Sequence, residues 1–370
     1  LLTYRFGTAG LGAAHTGATA TMGLSRAEVI EWAGRWFTAG NAAVTFTGPV
    51  PDSLDIRLPR GADAARAQSL PVTTVPTLVK SQKVGVALSF MVPLMNSSFL
   101  GEALSHELLA RLRHTGGLIY SAVSLTTAVD ADCCQLDLVL DPTEANTAAA
   151  LEASVAAVRD VAAAGFTEEA IQVALHALQA SLAWGDTVAS EYLDQIAVSG
   201  LVGRPTATRQ EVLDRAAGLT SHDLTATLTA ALGSIIVAVD KSVKLPKKAA
   251  AALGLALDRY EIWQRHTEKS DQQPPQGSLE AHRKWRNKES DATLWLTSTH
   301  LMKSESGKTK SIRLADIAVA GDRSCGCISL MDRRGRSAEV HTDDWKDSKK
   351  LRREVLRALL NEIVRAFPEG

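Results

Sequence analysis

The stretch LLARLRHTGGLIY, residues 108–120, decides how the middle of this chain folds. Its apolar residues fit the end of an amphipathic helix, Gly116-Gly117 stops that helix, and LIY begins a strand. Arg113 is therefore predicted at the exit of the helix and Tyr120 at the start of the strand, seven residues apart. Two long hydrogen-bond donors at the rim of a sheet can clamp a peptide carbonyl or a developing oxyanion.

The elements on either side predict one α+β domain, an antiparallel sheet covered by helices on one face. Leucines recur every fourth residue through the helix at 97–113, and Gly165 separates two later helices. Val129-Asp130 joins two strands that pair most simply as antiparallel neighbours. The predicted strands are 83–93, 118–128, 132–140 and 234–240; the predicted helices are 97–113, an Ala-rich helix from Asp141-Pro142 to Ala164, one from Thr167 to Trp184, and two or three shorter ones up to Leu232.

The first 60 residues read as the tail of another domain. SRAEVIEWAGRWF begins with Ser25 as helix cap and Glu28 three residues later, the pattern of a capping box. AAVTFTG, residues 42–48, is predicted as a strand. The chain does not begin with Met and its start lacks the features of a signal peptide, so we expect it to begin inside a domain. Residues 61–76 are predicted as a linker, and the second domain as 77–248.

The last part of the chain differs in texture. Residues 249–279 are predicted as a linker, most clearly in KSDQQPPQGS, and 280–370 as a separate domain. Four strand-like segments there are followed by one amphipathic helix at 346–367, an order that fits a small half-open barrel. Trp295 and Trp345 are the expected core aromatics.

The composition excludes several classes of protein. The chain has 370 residues, 45% hydrophobic residues and a formal net charge of −1, so neither general disorder nor nucleic-acid binding is indicated. From Ser278 onward there are 19 basic and 14 acidic residues, which we interpret as a solvated basic surface. No apolar run is long enough to span a membrane. Cys133, Cys134, Cys325 and Cys327 are expected to be reduced, in a cytoplasmic protein.

Three stretches resemble the insulinase/pitrilysin (M16) family of zinc peptidases. YRFGTAGLG, GLSRAEVIEW, WFTAGNAAVTFTGPVP and LPRG resemble the end of a first family domain. HELLARLRHTGGLIYSA resembles the second-domain motif in which an Arg and a Tyr contact the substrate, and GFTEEAIQVALHALQASL resembles a later helix of that domain. Together they cover residues 1 to about 245. The C-terminal block resembles a PH-like barrel in topology.

The resemblance implies a peptide enclosed between two homologous α+β halves. One half carries His-x-x-Glu-His on a helix, where two His and a later Glu bind zinc and the motif Glu acts as general base. The other half lacks zinc and supplies the Arg and Tyr, which here are Arg113 and Tyr120. In some members the two halves are separate subunits, so zinc is expected in a partner chain or in a half preceding Leu1.

The histidines do not fit the zinc motif, because no two of them are four residues apart. We interpret His106-Glu107 as a pair on a helix surface, His114 as a helix-end residue favoured by the helix dipole, and His176 as a core histidine. The full set is His15, His106, His114, His176, His222, His266, His282, His300 and His341. No metal ligand is therefore assigned in this chain.

Two hypotheses of different classes follow. In the first, the chain is the substrate-binding, zinc-lacking subunit of a heterodimeric peptidase that cleaves peptides such as a leader or precursor peptide, and the strand around Ser121 to Thr126 offers an edge to an extended peptide. In the second, it is a catalytically inactive scaffold whose PH-like domain recruits a protein or a membrane. The basic run KDSKKLRR is better explained as a solvated helix face than as a membrane contact.

Overall fold

The computed structural model describes residues 1–8, 10–15, 24–61, 69–81, 85–183, 185–246, 248–265, 283–360 and 363–366. The chain divides into two compact units, of which one comprises Leu1, Glu31–Gln68 and Thr74–Asp258, and the other Leu2–Ile30, Ser69–Thr73 and Arg259–Gly370. Within the described residues, no helix combines the length and the apolar character that crossing a membrane requires. Parts of both predicted linkers, residues 266–279 of the linker at 249–279 and residues 62–68 of that at 61–76, lie outside the described residues.

Both units contain helices and strands. The α-helices are α1 (Leu2–Phe6), α2 (Arg26–Trp36), α3 (Ser97–Leu108), α4 (Thr147–Ala164), α5 (Glu168–Ala183), α6 (Gly185–Leu201), α7 (Arg209–Ala217), α8 (Ser221–Ala231), α9 (Ala249–Ala252) and α10 (Ser348–Ala358). The strands are β1 (Thr77–Ser81), β2 (Val86–Pro93), β3 (Ile119–Ala128), β4 (Cys133–Pro142), β5 (Ile236–Asp240), β6 (Ala256–Leu257), β7 (Gln264–Arg265), β8 (Arg283–Arg286), β9 (Thr293–Leu296), β10 (His300–Glu305), β11 (Lys308–Arg313), β12 (Ile317–Asp322), β13 (Cys327–Asp332), β14 (Ser337–His341) and β15 (Val364–Ala366). A π-helical segment, Leu109–Thr115, continues α3.

The first unit is built on a six-stranded sheet in the order β3-β4-β2-β5-β1-β6. Strands β3, β4, β2 and β5 pair antiparallel, as predicted, so the α+β fold class is confirmed. The expectation of a wholly antiparallel sheet is wrong, because β1 pairs parallel to β5 and β6 parallel to β1. Strand β1 was not predicted, because its five residues follow a proline-rich stretch and show no alternation of apolar and polar side chains.

Alternation along the strands builds the core of this unit. In β2 and β4, every second side chain points into one apolar cluster that the helices α3, α4 and α8 cover. Gly101 of α3 permits close packing here, since a Cβ at this position would lie 2.9 Å from both Leu136 Cδ1 and Ser124 Cβ. Burying each large aliphatic side chain of this cluster contributes about 1.5–3 kcal/mol. The strand members are Val86, Leu88, Phe90, Val92, Cys134, Leu136, Leu138 and Leu140, and the helix members include Leu100, Leu104, Leu108, Leu151, Val155 and Leu228.

Local signals were reliable at some helix ends and wrong at others. The capping box of α2 is confirmed, with Glu28 N–H donating to Ser25 Oγ at 3.2 Å and Ser25 N–H to Glu28 Oε2 at 2.8 Å. Residues 42–48 do not form the predicted strand; they have no ladder partner among the described residues. The Ala-rich helix begins at Thr147 rather than at Asp141-Pro142, because those two residues finish β4.

The second unit contains two sheets, β7-β11-β10-β9-β8 and β14-β13-β12-β15. The half-open barrel is not confirmed, since neither sheet closes. The predicted helix at 346–367 is too long: α10 ends at Ala358, and β15 pairs parallel to β12. Trp345 is buried as expected, but Trp295 is only half-buried, with Lys284 Nζ 5.5 Å from its ring centre, and Trp285 occupies the core instead.

Candidate functional site

The segment that joins α3 to β3 has irregular backbone at both ends, beginning with the π-helical segment. A π-helix of seven residues is uncommon, and such segments are frequent at functional sites. The helix closes with Gly117 N–H donating to Arg113 O at 3.0 Å and Leu118 N–H to Leu112 O at 2.7 Å. Gly117 has φ +58°, a conformation that disfavours residues with a Cβ. The turn is also held by Asn146, whose Nδ2 donates to Gly117 O at 3.4 Å.

A β-bulge lies at the other end, where Tyr120 is. Ile119 pairs with Pro142 and Ala122 with Leu140, so Tyr120 and Ser121 together oppose a single residue of β4. In a regular strand, Ile119 and Ala122 would point to opposite faces. The bulge lets both pack against the core cluster, and it leaves Tyr120 on the outer face of the sheet. Bulges of this kind are often found next to active sites, where they redirect a side chain.

Both predicted site residues are exposed, and the polar ends of their side chains lack partners in the described part of the chain. The guanidinium of Arg113, at the helix exit, forms no ion pair or hydrogen bond with a described residue, so a helix-end ion pair does not explain it. Tyr120 is 64% exposed, and its hydroxyl likewise has no described partner, so it is not a core-edge aromatic. The structure thus places Arg113 and Tyr120 on the two sides of one short glycine turn, with their donors available.

Strand β3 is the edge of its sheet among the described residues, because its only described neighbour is β4. Its outer face carries Val123 and Leu125, which are 49% and 55% exposed, in line with Tyr120. An edge strand offers unpaired backbone donors and acceptors to another extended chain. The described structure therefore combines an open strand edge, an apolar stripe and two side-chain donors in one region.

A buried carboxylate, which sequence reasoning missed, fixes the helix that carries this region. Glu107 is 3% exposed rather than on the surface, so the predicted surface pair with His106 is wrong. Its Oε1 accepts a 2.7 Å hydrogen bond from Thr167 N–H at the start of α5, and its Oε2 pairs with Arg111 at 3.2 Å. Glu107 therefore joins α3 to α5. The helical spacing of Glu107 and Arg111 was visible in the sequence; the contact with Thr167, 60 residues away, was not.

The other histidines among the described residues do not form a metal site. His176 is exposed on α5, so the prediction of a core histidine is wrong, while His114 lies exposed in the last turn of the π-helical segment, as predicted. His106 is half-buried, with Nε2 3.8 Å from Glu169 Oε1. Within the described ranges, no three His, Cys, Asp or Glu side chains are arranged to hold a metal ion. His266 and His282 lie outside the described residues.

Comparison with known proteins finds similarity only among solved structures. No family model matches the sequence, and no curated protein matches it. The chain is similar to the first half of the periplasmic protease PqqL from Escherichia coli, with a TM-score of 0.41 and 16% identity over 53% of this chain and 50% of that chain. It is also similar to a peptidase M16 inactive domain from Pseudomonas fluorescens, with a TM-score of 0.39 and 15% identity over 51% and 49% of the two chains. A predicted insulinase family protease from Yersinia pestis gives a TM-score of 0.40 and 16% identity over 54% and 49%. The chain thus spans about half the length of these solved proteins.

Proposed function

We propose that this chain is the substrate-binding, zinc-lacking half of an M16-type metallopeptidase. The observation that carries the proposal is the placement of Arg113 and Tyr120, both exposed and both without a described partner, on either side of the Gly116-Gly117 turn. Two irregular segments, a π-helix and a β-bulge, produce that placement. Irregular backbone is retained only where the surrounding structure holds it in place, and such segments are concentrated at functional sites.

The chemistry of the two donors suits peptide hydrolysis. The Arg113 guanidinium is always charged and presents several N–H donors, while the Tyr120 phenol adds one O–H donor. Hydrolysis of a peptide bond passes through a tetrahedral intermediate with a negatively charged oxygen, and fixed donors aimed at that oxygen lower the barrier. In this proposal, the two side chains hold the substrate carbonyl and stabilise the oxyanion that forms from it.

The edge strand supplies a way to hold the rest of the substrate. A peptide in extended conformation can add to β3 through backbone hydrogen bonds, and its alternate side chains would then meet Val123 and Leu125. This arrangement selects an unfolded or extended segment with apolar residues at alternate positions. We propose a leader or precursor peptide as the substrate.

Hydrolysis itself is assigned to a second half. The described residues contain no group of side chains arranged to bind a metal ion, so the proposal assigns them no role in zinc binding. We propose a partner, either another chain in a heterodimer or a half of the same protein, that carries zinc on a His-x-x-Glu-His helix. That half would activate the attacking water.

The test begins with co-purification of the chain from its host and metal analysis of the complex. Arg113→Ala and Tyr120→Phe are then compared with wild type in hydrolysis of a quenched fluorescent peptide by the assembled complex. We expect kcat/KM to fall on the order of 10²-fold for each, the effect of removing one oxyanion donor. His114→Ala, at an exposed neighbouring position of the same helix end, is the matched control and should retain wild-type activity.

Two results would overturn the proposal. Wild-type rates for both variants in the complex would show that these donors do not touch the reacting group, and would favour the inactive scaffold. One tightly held zinc per purified chain would show that the metal belongs here and not to a second half.

A further inference from the structure

The turn between β12 and β13 brings two cysteines and a histidine together. Cys325 and Cys327 flank Gly326, and Cys327 pairs directly with His341 of β14 across the sheet. The Cys327 Sγ lies 3.1 Å from His341 Nδ1. The turn is closed by Arg323 N–H donating to Cys327 O and Gly326 N–H to Arg323 O, both at 3.0 Å, and Thr342 Oγ1 donates to Gly326 O.

The two thiols differ in exposure and in acidity. Cys325 is exposed, and its interactions with the thiol and the backbone of Cys327 lower the pKa of the Cys325 thiol. The interaction with the Cys325 thiol, together with partial burial, raises the pKa of Cys327 to about 11. Cys325 is thus the better nucleophile, while Cys327 needs a base to take its proton. The charged groups around the pair are Asp322, Arg323, Glu339, Asp343 and Arg352.

His341 is placed to be that base. Its Nε2 lies 3.6 Å from Glu339 Oε2, a contact that favours a proton on Nε2. Nδ1 is then an acceptor, and it is the atom that faces Cys327. An imidazole that carries a proton on one nitrogen can accept a second proton on the other nitrogen and release it again.

The other two cysteines of the chain are arranged differently. Cys133 and Cys134 are consecutive residues of β4, so their side chains point to opposite faces of the sheet. Cys134 is fully buried, and this burial raises its thiol pKa. These two residues therefore serve as an internal reference for two cysteines that do not face each other.

We propose that Cys325 and Cys327 form a redox-active dithiol that exchanges reversibly with disulfides of small molecules or peptides, with His341 as the base that takes the Cys327 proton. The Cys325 thiolate attacks one sulfur of a disulfide R–S–S–R, forming a Cys325–S–S–R bond and releasing one thiolate. His341 Nδ1 then takes the Cys327 proton, and the Cys327 sulfur attacks the Cys325 sulfur. The second R–S⁻ leaves and is protonated. Two electrons pass from the dithiol to the disulfide, giving a Cys325–Cys327 disulfide and two free thiols.

The short spacing favours a reversible bond over a structural one. A bridge between cysteines two positions apart closes a small, strained ring, and strained disulfides are readily reduced. The pair can therefore return to the dithiol when a reducing thiol is present.

Oxidised glutathione is the probe for the test, used with the full-length chain. Trypsin releases both cysteines in one peptide, Ser324–Arg333, and Cys133 with Cys134 in another, so mass spectrometry reports each pair separately. We expect Ser324–Arg333 to lose two hydrogen atoms without retaining glutathione, while the Cys133–Cys134 peptide stays reduced. Cys327→Ser should retain one glutathione on Cys325. His341→Gln should slow formation of the Cys325–Cys327 disulfide on the order of 10²-fold. The ratio of the wild-type rate to the variant rate should become smaller as pH rises, because hydroxide then replaces the base.

Circular dichroism of each variant shows whether it folds. The dithiol proposal would be overturned if Cys325 and Cys327 each kept a separate glutathione. It would also be overturned if neither of them reacted with oxidised glutathione faster than Cys133 does. Ring closure at the wild-type rate in a folded His341→Gln variant would remove His341 from the proposal.

Discussion

Glu107 is predicted to stabilise the fold by capping a helix that is distant in sequence. In a capping box, the third residue of the helix accepts the backbone N–H of the cap residue. In α5 the cap is Thr167, whose Oγ1 accepts from Ala170 N–H at 3.2 Å, but Ala170 has no side chain that could reach back. Glu107 of α3 accepts the Thr167 N–H instead, at 2.7 Å. Replacing Glu107 should therefore loosen both helices.

The size of the effect follows from the two contacts. A hydrogen bond to a charged group contributes about 1.5–3 kcal/mol, and we take about 2 for the buried Thr167 contact. The pair with Arg111 adds about 0.5 kcal/mol, because Arg111 is 34% exposed and solvent screens it. Glu107→Ala should then destabilise the unit by roughly 2.5 kcal/mol. Glu107→Gln keeps an uncharged acceptor for Thr167 and should lose about 1 kcal/mol.

Urea unfolding followed by far-ultraviolet circular dichroism measures these losses as shifts of the midpoint at constant slope. Hydrogen exchange in the first turn of α5 should also accelerate more in Glu107→Ala than in Glu107→Gln. An unchanged midpoint for Glu107→Ala, or equal losses in the two variants, would refute the capping argument. If Glu107→Gln abolished peptide hydrolysis by the complex without affecting stability, Glu107 would be a catalytic base and not a cap.

Three further predictions concern packing, pH and the strand edge. Gly101→Ala should lower the free energy of unfolding by about 1 kcal/mol in the same urea assay, because crowding costs about 1–3 kcal/mol and the gain in helix propensity is only about 1 kcal/mol. Gly34→Ala is the control: nothing lies near that position, so this change should stabilise the fold slightly. Hydrogen bonds from the backbone and hydroxyl of Thr208 lower the pKa of Glu211 in the folded state. The ionised Glu211 therefore contributes to the free energy of unfolding at pH values above its unfolded-state pKa. This contribution is lost as pH falls through the lower folded-state pKa. Glu211→Gln should flatten the acid limb of a plot of melting temperature against pH. Leu125→Lys should raise KM for an extended peptide with little change in kcat, because a charged edge disfavours strand addition; an unchanged KM would argue against binding at β3.

Elements with strong local signals could be predicted from the sequence. The leucine spacing of α3, the Gly116-Gly117 stop and the β3–β4 hairpin all arise from interactions within a few residues, and all are present in the structure. The positions of Arg113 and Tyr120 on either side of the glycine stop could be predicted for the same reason, while their role in binding substrate stays a prediction that rests on the family resemblance. Their exposure could not be predicted, because it depends on a π-helix and a β-bulge, which have no distinct residue pattern of their own.

Features that depend on distant residues were missed. The parallel pairing of β1 with β5 joins segments more than 150 residues apart. The cap that Glu107 provides to α5 and the contact of Cys327 with His341 likewise exist only after the strands and helices have packed. His176 shows the opposite error, since an apolar stretch of helix suggested burial that α5 does not provide at that position.

The exposure of the site bears on what the functional unit must be. In contact with water, a hydrogen bond between protein groups contributes only about 1 kcal/mol net, because each donor gives up water to form it. A donor aimed at an oxyanion in a site that excludes water contributes about 3 kcal/mol, because water no longer screens the electrostatic attraction between the donor and the oxyanion. Tyr120, at 64% exposure, is in the first situation. Oxyanion stabilisation of the proposed size therefore requires a second surface that closes over Arg113 and Tyr120 and removes water. In the proposed function, that surface belongs to the zinc-bearing half, so enclosure of the site and activation of water would come from the same partner.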